Sequence, residues 1–131
     1  MSPSSDENQD LAFEISFYEG ILAEDPDFVD ALLPLAEAYT RAGLHEKGLE
    51  ADQRLARLCP KNPTVHYNLA CSHALTGHPD EALATLERAI ELGYRDADFM
   101  LKDKDLASLH DDERFARLIA RFFPEASPDV P

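Results

Sequence analysis

GHPDEALATLERAIELG, residues 77–93, carries a complete helix with both ends marked. Pro79 suits a first helical turn, where its missing amide hydrogen is not needed, and Gly93 can take the left-handed conformation that closes a last turn. Between them Ala82, Leu83, Leu86, Ala89 and Ile90 recur at spacings of three and four, which puts them on one face to be buried. Glu87 and Glu91 fall elsewhere, toward solvent. Nothing in the stretch reads as reactive. It is a packing element, and its function depends on what neighbouring elements build around it.

Outward from this helix a period emerges. Gly43 and Gly77 lie 34 positions apart, and so do Pro26 and Pro60. FVDALLPLAEAYTRAGLHEKGLEADQRLARLCP and TVHYNLACSHALTGHPDEALATLERAIELGY each hold two helix-length patterns around a Gly-centred turn. That is the pattern of stacked helical hairpins, each burying its apolar face against the next. Helices are expected over 11–24, 28–41, 45–58, 64–76 and 80–92. Asn62 and Pro63 suit the start of the fourth, the first as a cap and the second just inside it. The first helix has Phe13, Phe17, Gly20, Ile21 and Glu24 on one side and Leu11, Ile15, Tyr18 and Leu22 on another. Its broad apolar surface predicts packing on more than one neighbour.

The chain has 131 residues, enough for one domain with a buried core and little room for a second. Its net charge of −14 argues against a nucleic-acid backbone or an anionic membrane as partner and favours a basic protein or peptide. Residues 1–26 carry seven acidic side chains and no Lys or Arg, which is half of that charge. MSPSSDENQD reads as a disordered acidic leader over 1–10. No basic region followed by an apolar stretch marks a secretory signal, and no apolar run approaches the roughly 20 residues that span a bilayer. A soluble, cytoplasmic chain is the expectation. Cys59 and Cys71 lie on or beside expected helices, and a disulfide between them is the less favoured reading.

At this point the sequence resembles the tetratricopeptide repeat family. One repeat matches through Leu32, Leu35, Ala36, Tyr39, Gly43, Gly48, Leu55 and Pro60; the next through His66, Leu69, Ala70, His73, Gly77, Ala82, Leu86 and Ala89. Asp52 departs from the pattern at a position usually held by a large apolar residue, His66 and His73 replace aromatics, and Tyr94 stands where a closing Pro is usual. The resemblance implies an all-α fold, a right-handed superhelical stack of antiparallel helical hairpins. A single domain over 11–123 follows, with a half repeat at 11–26, repeats at 27–60 and 61–94, a helical cap at 95–123 and a flexible tail at 124–131. The segment after Tyr94 looks like an ending attached to bacterial proteins of this kind. Its Phe99, Met100, Leu106, Leu109, Phe115, Leu118, Ile119 and Phe122 are expected to cover the last repeat, with Asp111 capping a terminal helix. Phe122 and Phe123 either fold back or form a partner or dimer patch.

Converging groups for catalysis are not evident. Cys71 and His73 are two residues apart on a helix, and point in nearly opposite directions. Cys59, His66, Cys71, His73 and His78 lack the short paired spacing of a structural zinc site, and the family match assigns His66 and His73 to packing. DADFMLKDKD lacks the oxygen spacing of a calcium loop and reads as solvated surface. Neither a metal nor a cofactor is therefore expected, and the chain reads as no enzyme. Pro34 falls inside an expected helix; it marks either a late or bent start or a widening of a groove.

Members of the family generally recognise peptides or protein surfaces on the concave side, through the first helix of each hairpin. The resemblance implies a groove formed by Asp30, Leu33, Glu37, Thr40 and Arg41, followed by Thr64, Tyr67, Cys71, Ala74 and Leu75. Tyr67 and Leu33 suit an extended peptide, while Asp30 and Glu37 select a basic residue in it. A subgroup that binds a terminal carboxylate uses Lys and Asn from neighbouring repeats; Asn68 matches, but Leu33 and Glu37 stand at the other positions. Carboxylate binding is disfavoured, and Asn68 is expected to close a local hydrogen bond. The resulting expectation is a non-catalytic protein-interaction module, the alternative being a weak homo-oligomer joined through its end faces or its aromatic C-terminal helix.

Overall fold

A computed structural model describes residues 5–126. The chain forms α1 (Ser5–Glu24), α2 (Val29–Arg41), α3 (His45–Leu58), α4 (Pro63–Leu75), α5 (Pro79–Glu91), α6 (Ala97–Lys102) and α7 (Glu113–Phe122). Tight 3-10 turns follow α6 at Lys104–Leu109 and α7 at Pro124–Ala126. Among the described residues there is no strand.

Each of the first four helices packs on the one after it, and short turns reverse the chain between them. The two inner turns of the hairpins are built alike. After α2 the Leu44 amide donates to the Tyr39 carbonyl at 2.9 Å, and after α4 the His78 amide donates to the His73 carbonyl at 2.8 Å. Both wraps need a left-handed residue, supplied by Gly43 at φ 77° and Gly77 at φ 81°. Gly48 serves closeness instead: a Cβ there would lie 3.2 Å from Thr40 Oγ1, so its absence lets α3 approach α2. At the start of α4, Asn62 Oδ1 accepts from the amides of Thr64 (2.9 Å) and Val65 (3.2 Å), with Pro63 as the first helical residue.

The apolar faces form two clusters. Leu32, Leu35 and Leu55 join Leu22 of α1 and Val65 of α4, while Leu86 and Ile90 of α5 join Met100, Leu106 and Ile119 of the C-terminal segment. Each fully buried leucine contributes roughly 1.5–3 kcal/mol relative to exposure. The C-terminal segment covers the outer side of the second hairpin: the 3-10 turn lies on α4, and α7 lies on α5. Phe122 and Phe123 pack against this second cluster, as does Ala126. Arg114 fastens the arrangement, reaching Asp112 at 2.9 Å and Asp80 of α5 at 2.8 Å.

Several expectations need correction. Residues 5–10, assigned to a disordered leader, are the first turns of α1; residues 1–4 lie outside the described residues. No Gly or Pro interrupts residues 5–19, and extending a formed helix costs far less than nucleating one. α1 packs extensively on α2 alone, and its Phe13 and Phe17 are exposed rather than covered. Residues 124–126, assigned to a flexible tail, form a 3-10 turn; residues 127–131 lie outside the described residues. The cap of α7 is Asp112, whose carboxylate accepts from the Arg114 amide at 2.8 Å, and not Asp111. Pro34 is interior to a helix that starts at Val29, so a late start does not explain it. Its missing amide leaves the carbonyl of exposed Asp30 without its helical donor, and water can replace that donor.

Candidate functional site

A hollow of about 450 Å³ opens where the two hairpins and the C-terminal segment meet. α2 presents Leu33, Pro34, Glu37 and Thr40 to it, and α4 presents Tyr67, Asn68, Cys71, Ser72 and Leu75. Spacings of three and four along each helix put these side chains on one face, which is why two first helices laid side by side make a continuous surface. α3 contributes Asp52 and Leu55 from behind, and the C-terminal segment closes one end with Phe99, Asp103 and Asp105.

The lining combines apolar walls with carboxylates. Glu37, Asp52, Asp103 and Asp105 all contribute, and no Lys or Arg does. Asp52 is only 4 % exposed, and its Oδ2 accepts a 2.6 Å hydrogen bond from the Ser72 hydroxyl. Burial pushes its carboxyl up to about 6, with the Ser72 bond pulling the other way. Burial and the neighbouring Asp103 also raise Asp105, while Lys104 and His45 oppose the rise. Asp103 is the organising residue at this end. One carboxylate oxygen caps the 3-10 turn by accepting from the Asp105 amide at 3.0 Å, and the other accepts from the Tyr67 hydroxyl at 2.6 Å. The Tyr67 ring stacks on Tyr94 at 4.2 Å with parallel planes, so its position is fixed from both sides. Tyr94, at the position of the usual proline, thereby takes on a packing role.

Cys71 sits beside this pair, its Sγ 3.8 Å from Asp103 Oδ2. Burial raises the thiol far above its usual range, and Asp103 and Asp105 add to the effect. Such a group stays protonated and is a poor nucleophile. His73, the nearest histidine in sequence, packs edge-on against His78 at 6.0 Å, with burial lowering its basicity. His66 Nε2 lies 2.9 Å from the Pro60 carbonyl. Each ring is thus engaged with a different neighbour, and among the described residues no group of three His, Cys, Asp or Glu could hold a metal ion.

Six of the ten residues expected to form a groove line the hollow: Leu33, Glu37, Thr40, Tyr67, Cys71 and Leu75. The other four do not. Asp30 is exposed at the start of α2, Thr64 is exposed in the first turn of α4, and Ala74 is buried between α4 and α5. Arg41 turns away to Glu14 of α1 at 2.8 Å and also touches Glu37 at 3.3 Å. Asn68 lines the hollow as an exposed side chain with no hydrogen bond among the described residues, contrary to the local bond expected of it.

Sequence reasoning missed Asp103, Asp105 and Phe99 as lining residues. The two aspartates were assigned to solvated surface, yet both are half-buried; Phe99 was assigned to the core, yet it is 49 % exposed, 6.1 Å from the Tyr67 ring. Asp52 did leave a signal, a carboxylate at a position where the repeat pattern calls for a large apolar side chain.

Sequence models of the tetratricopeptide repeat family match residues 17–63 and 63–96. Among curated proteins the chain is similar to the peroxisomal targeting signal receptor of Komagataella phaffii, 37 % identical over 79 residues. That match takes in 60 % of this chain and 14 % of the receptor. The receptor of the same name from Candida albicans is 35 % identical over 77 residues, 59 % of this chain and 13 % of that protein. The chain therefore spans about a seventh of the length of these fungal relatives. Among the described residues no helix is long and apolar enough to cross a membrane.

Proposed function

Because the chain belongs to the tetratricopeptide repeat family and is a protein-interaction module, we propose that its hollow holds an extended peptide segment bearing a Lys or Arg side chain. The observation that carries this reading is the lining itself: four carboxylates, apolar walls and no basic group. A cationic side chain is both a carbon stem and a charged head. The stem fits along Leu33, Leu75 and Phe99, and the head meets Asp52, Asp103 and Asp105. A volume near 450 Å³ accepts one such side chain with its flanking backbone. A ligand ending in a carboxylate would be repelled by the same groups, and the likeness to targeting signal receptors supports recognition of a segment of another protein.

The reading is non-catalytic. The thiol beside Asp103 is held protonated by its surroundings, burial above all. We place the chain's work in the cytoplasm, on the strength of its acidity and its free cysteines. Self-association through the aromatic C-terminal helix loses its main surface, because Phe122 and Phe123 pack inward. Arg121 and Arg95 also lie over these rings at 4.8 and 5.9 Å.

Calorimetry of the full chain with short peptides that differ only in a central Lys, norleucine or Glu tests the proposal. The Lys peptide is expected to bind more tightly than the other two, and Asp52→Asn to weaken it. Equal affinity for Lys and norleucine would remove the electrostatic part of the reading.

A further inference from the structure

α1 is the first helix of the stack among the described residues. Its extensive packing is on α2 alone, whereas α3 packs on both α2 and α4. One side of α1 is used: Leu22 is buried, with Ile15, Tyr18 and Ile21 half-buried around it. The opposite side carries Phe13, 70 % exposed, and Phe17, 54 % exposed, their rings stacked at 6.4 Å with 13° between planes. Phe13, Phe17, Gly20 and Glu24 follow at spacings of four, three and four, so they share one face, with Asp10 one turn before Phe13. A Cβ added at Gly20 would meet nothing within 4 Å, so the space beside Phe17 on this face is open. Two stacked phenyl rings in water are a stronger signal than single exposed apolar residues, because they present contiguous apolar surface at helical spacing.

The charge around the stripe says what chemistry can cover it. Between residues 7 and 24 the helix has Glu7, Asp10, Glu14, Glu19 and Glu24 and no Lys or Arg. Glu14 is engaged by Arg41 and Glu19 by the Tyr39 hydroxyl, on the side facing α2. Asp10 and Glu24 are exposed and flank the phenylalanines. Two copies of α1 laid face to face would bring these carboxylates together, which disfavours a dimer across this face. A helix with apolar side chains at spacings of three and four and Lys or Arg on its flanks would cover the rings and neutralise the rim.

We propose that the Phe13–Phe17 face of α1 is a second docking surface, which takes a cationic amphipathic helix from a partner protein. No residue of α1 lines the hollow, so this surface is independent of the peptide site. The rings would insert between the partner's apolar side chains and supply most of the affinity, as buried aromatics do in helix-in-groove contacts. The rim carboxylates would set its orientation and make binding weaken with salt.

The probes are synthetic helices of roughly 18 residues, one of Leu and Lys in amphipathic register and one with Glu in place of Lys. Both are titrated into the full chain by calorimetry, with the site mapped by amide NMR shifts. The Leu–Lys helix is expected to bind, with shifts centred on α1, and the Leu–Glu helix not to bind. Phe13→Ser combined with Phe17→Ser should weaken the Leu–Lys helix by about tenfold or more. Both positions are exposed, and circular dichroism checks that the variant stays helical. Asp10→Lys with Glu24→Lys should weaken it independently, and Glu37→Gln with Asp52→Asn in the hollow should leave it unchanged. Unaltered affinity in the double Phe variant would overturn the proposal. So would loss only in the hollow variant, equal binding of the Leu–Glu helix, or sedimentation showing that the unliganded chain dimerises through Phe13 and Phe17.

Discussion

Ser72 donates a 2.6 Å hydrogen bond to Asp52 between α3 and α4, joining two side chains that are 3 % and 4 % exposed. The carboxylate sits where an apolar side chain would pack, with a single hydroxyl to replace its lost hydration. Its acidity is therefore weakened, and that weakening is also a cost to stability. Below the unfolded-state value of 3.8 both folded and unfolded chains keep the proton and the cost is absent. As pH rises from there to about 6 the unfolded chain ionises while the folded chain does not, so stability falls. Above that the loss is complete, on the order of 3 kcal/mol. Asp52→Asn keeps the shape and removes the titration. Urea unfolding at pH 4 and pH 7 should show the variant gaining on the unaltered chain by about that amount between the two; parallel behaviour would mean that Asp52 is solvated.

The glycines make a sharper geometric prediction. Gly43→Ala and Gly77→Ala each force a Cβ into a left-handed turn, and should cost about 1 kcal/mol or more apiece. Gly48→Ala should cost less than either, since its Cβ at 3.2 Å from Thr40 Oγ1 makes that side chain give by a few tenths of an ångström while alanine favours the helix. Gly20→Ala should go the other way, stabilising by up to about 1 kcal/mol, because Gly20 is helical, exposed and surrounded by open space. Denaturant midpoints of the four variants, measured together, check the signs.

The helices were legible where one signal dominated. Residues 77–93 hold a start, a stop and one apolar face, and the period that relates Gly43 to Gly77 repeats a turn whose backbone demands glycine. The hollow was legible only on its helical sides, where the repeat pattern assigns positions to a face. Its closing end was hidden, since Asp103 looks like any surface aspartate until the chain folds back and brings it to Tyr67, 36 positions earlier. α1 misled for a related reason: an apolar stripe shows that a face avoids water, but not whether this chain supplies the cover.

At the C-terminal cap two adjacent aspartates behave differently. Asp112 caps α7 and grips Arg114, and these bonds hold its carboxyl below the usual range. Asp111 is exposed and outside the helix. Asp112→Ala should lower the thermal midpoint measurably, while Asp111→Ala should leave it nearly unchanged. A lowered pKa stabilises the fold above the unfolded-state value of 3.8, so the difference between these variants should shrink as pH falls below it. A midpoint that responds equally to both substitutions would place the cap elsewhere.

Cys71 reports on the hollow without any ligand label. Its thiol is 7 % exposed, lines the cavity and is raised far above its usual range by burial and by Asp103 and Asp105. Cys59 is half-buried just past the end of α3. Alkylation with iodoacetamide at pH 8, followed by peptide mass spectrometry, should modify Cys59 first and Cys71 slowly. Tyr67→Phe removes the hydroxyl that anchors Asp103 and should loosen this end of the hollow. Any gain in access for Cys71 is opposed by loss of the Tyr67 hydroxyl, whose bond lowers the thiol pKa, so its alkylation should change little while the ring stays stacked on Tyr94. A Lys-bearing peptide seated in the hollow should slow Cys71 further and leave Cys59 unaffected. Slowing at both cysteines would instead report a general stabilisation of the fold, and no slowing at either would place the peptide outside the hollow.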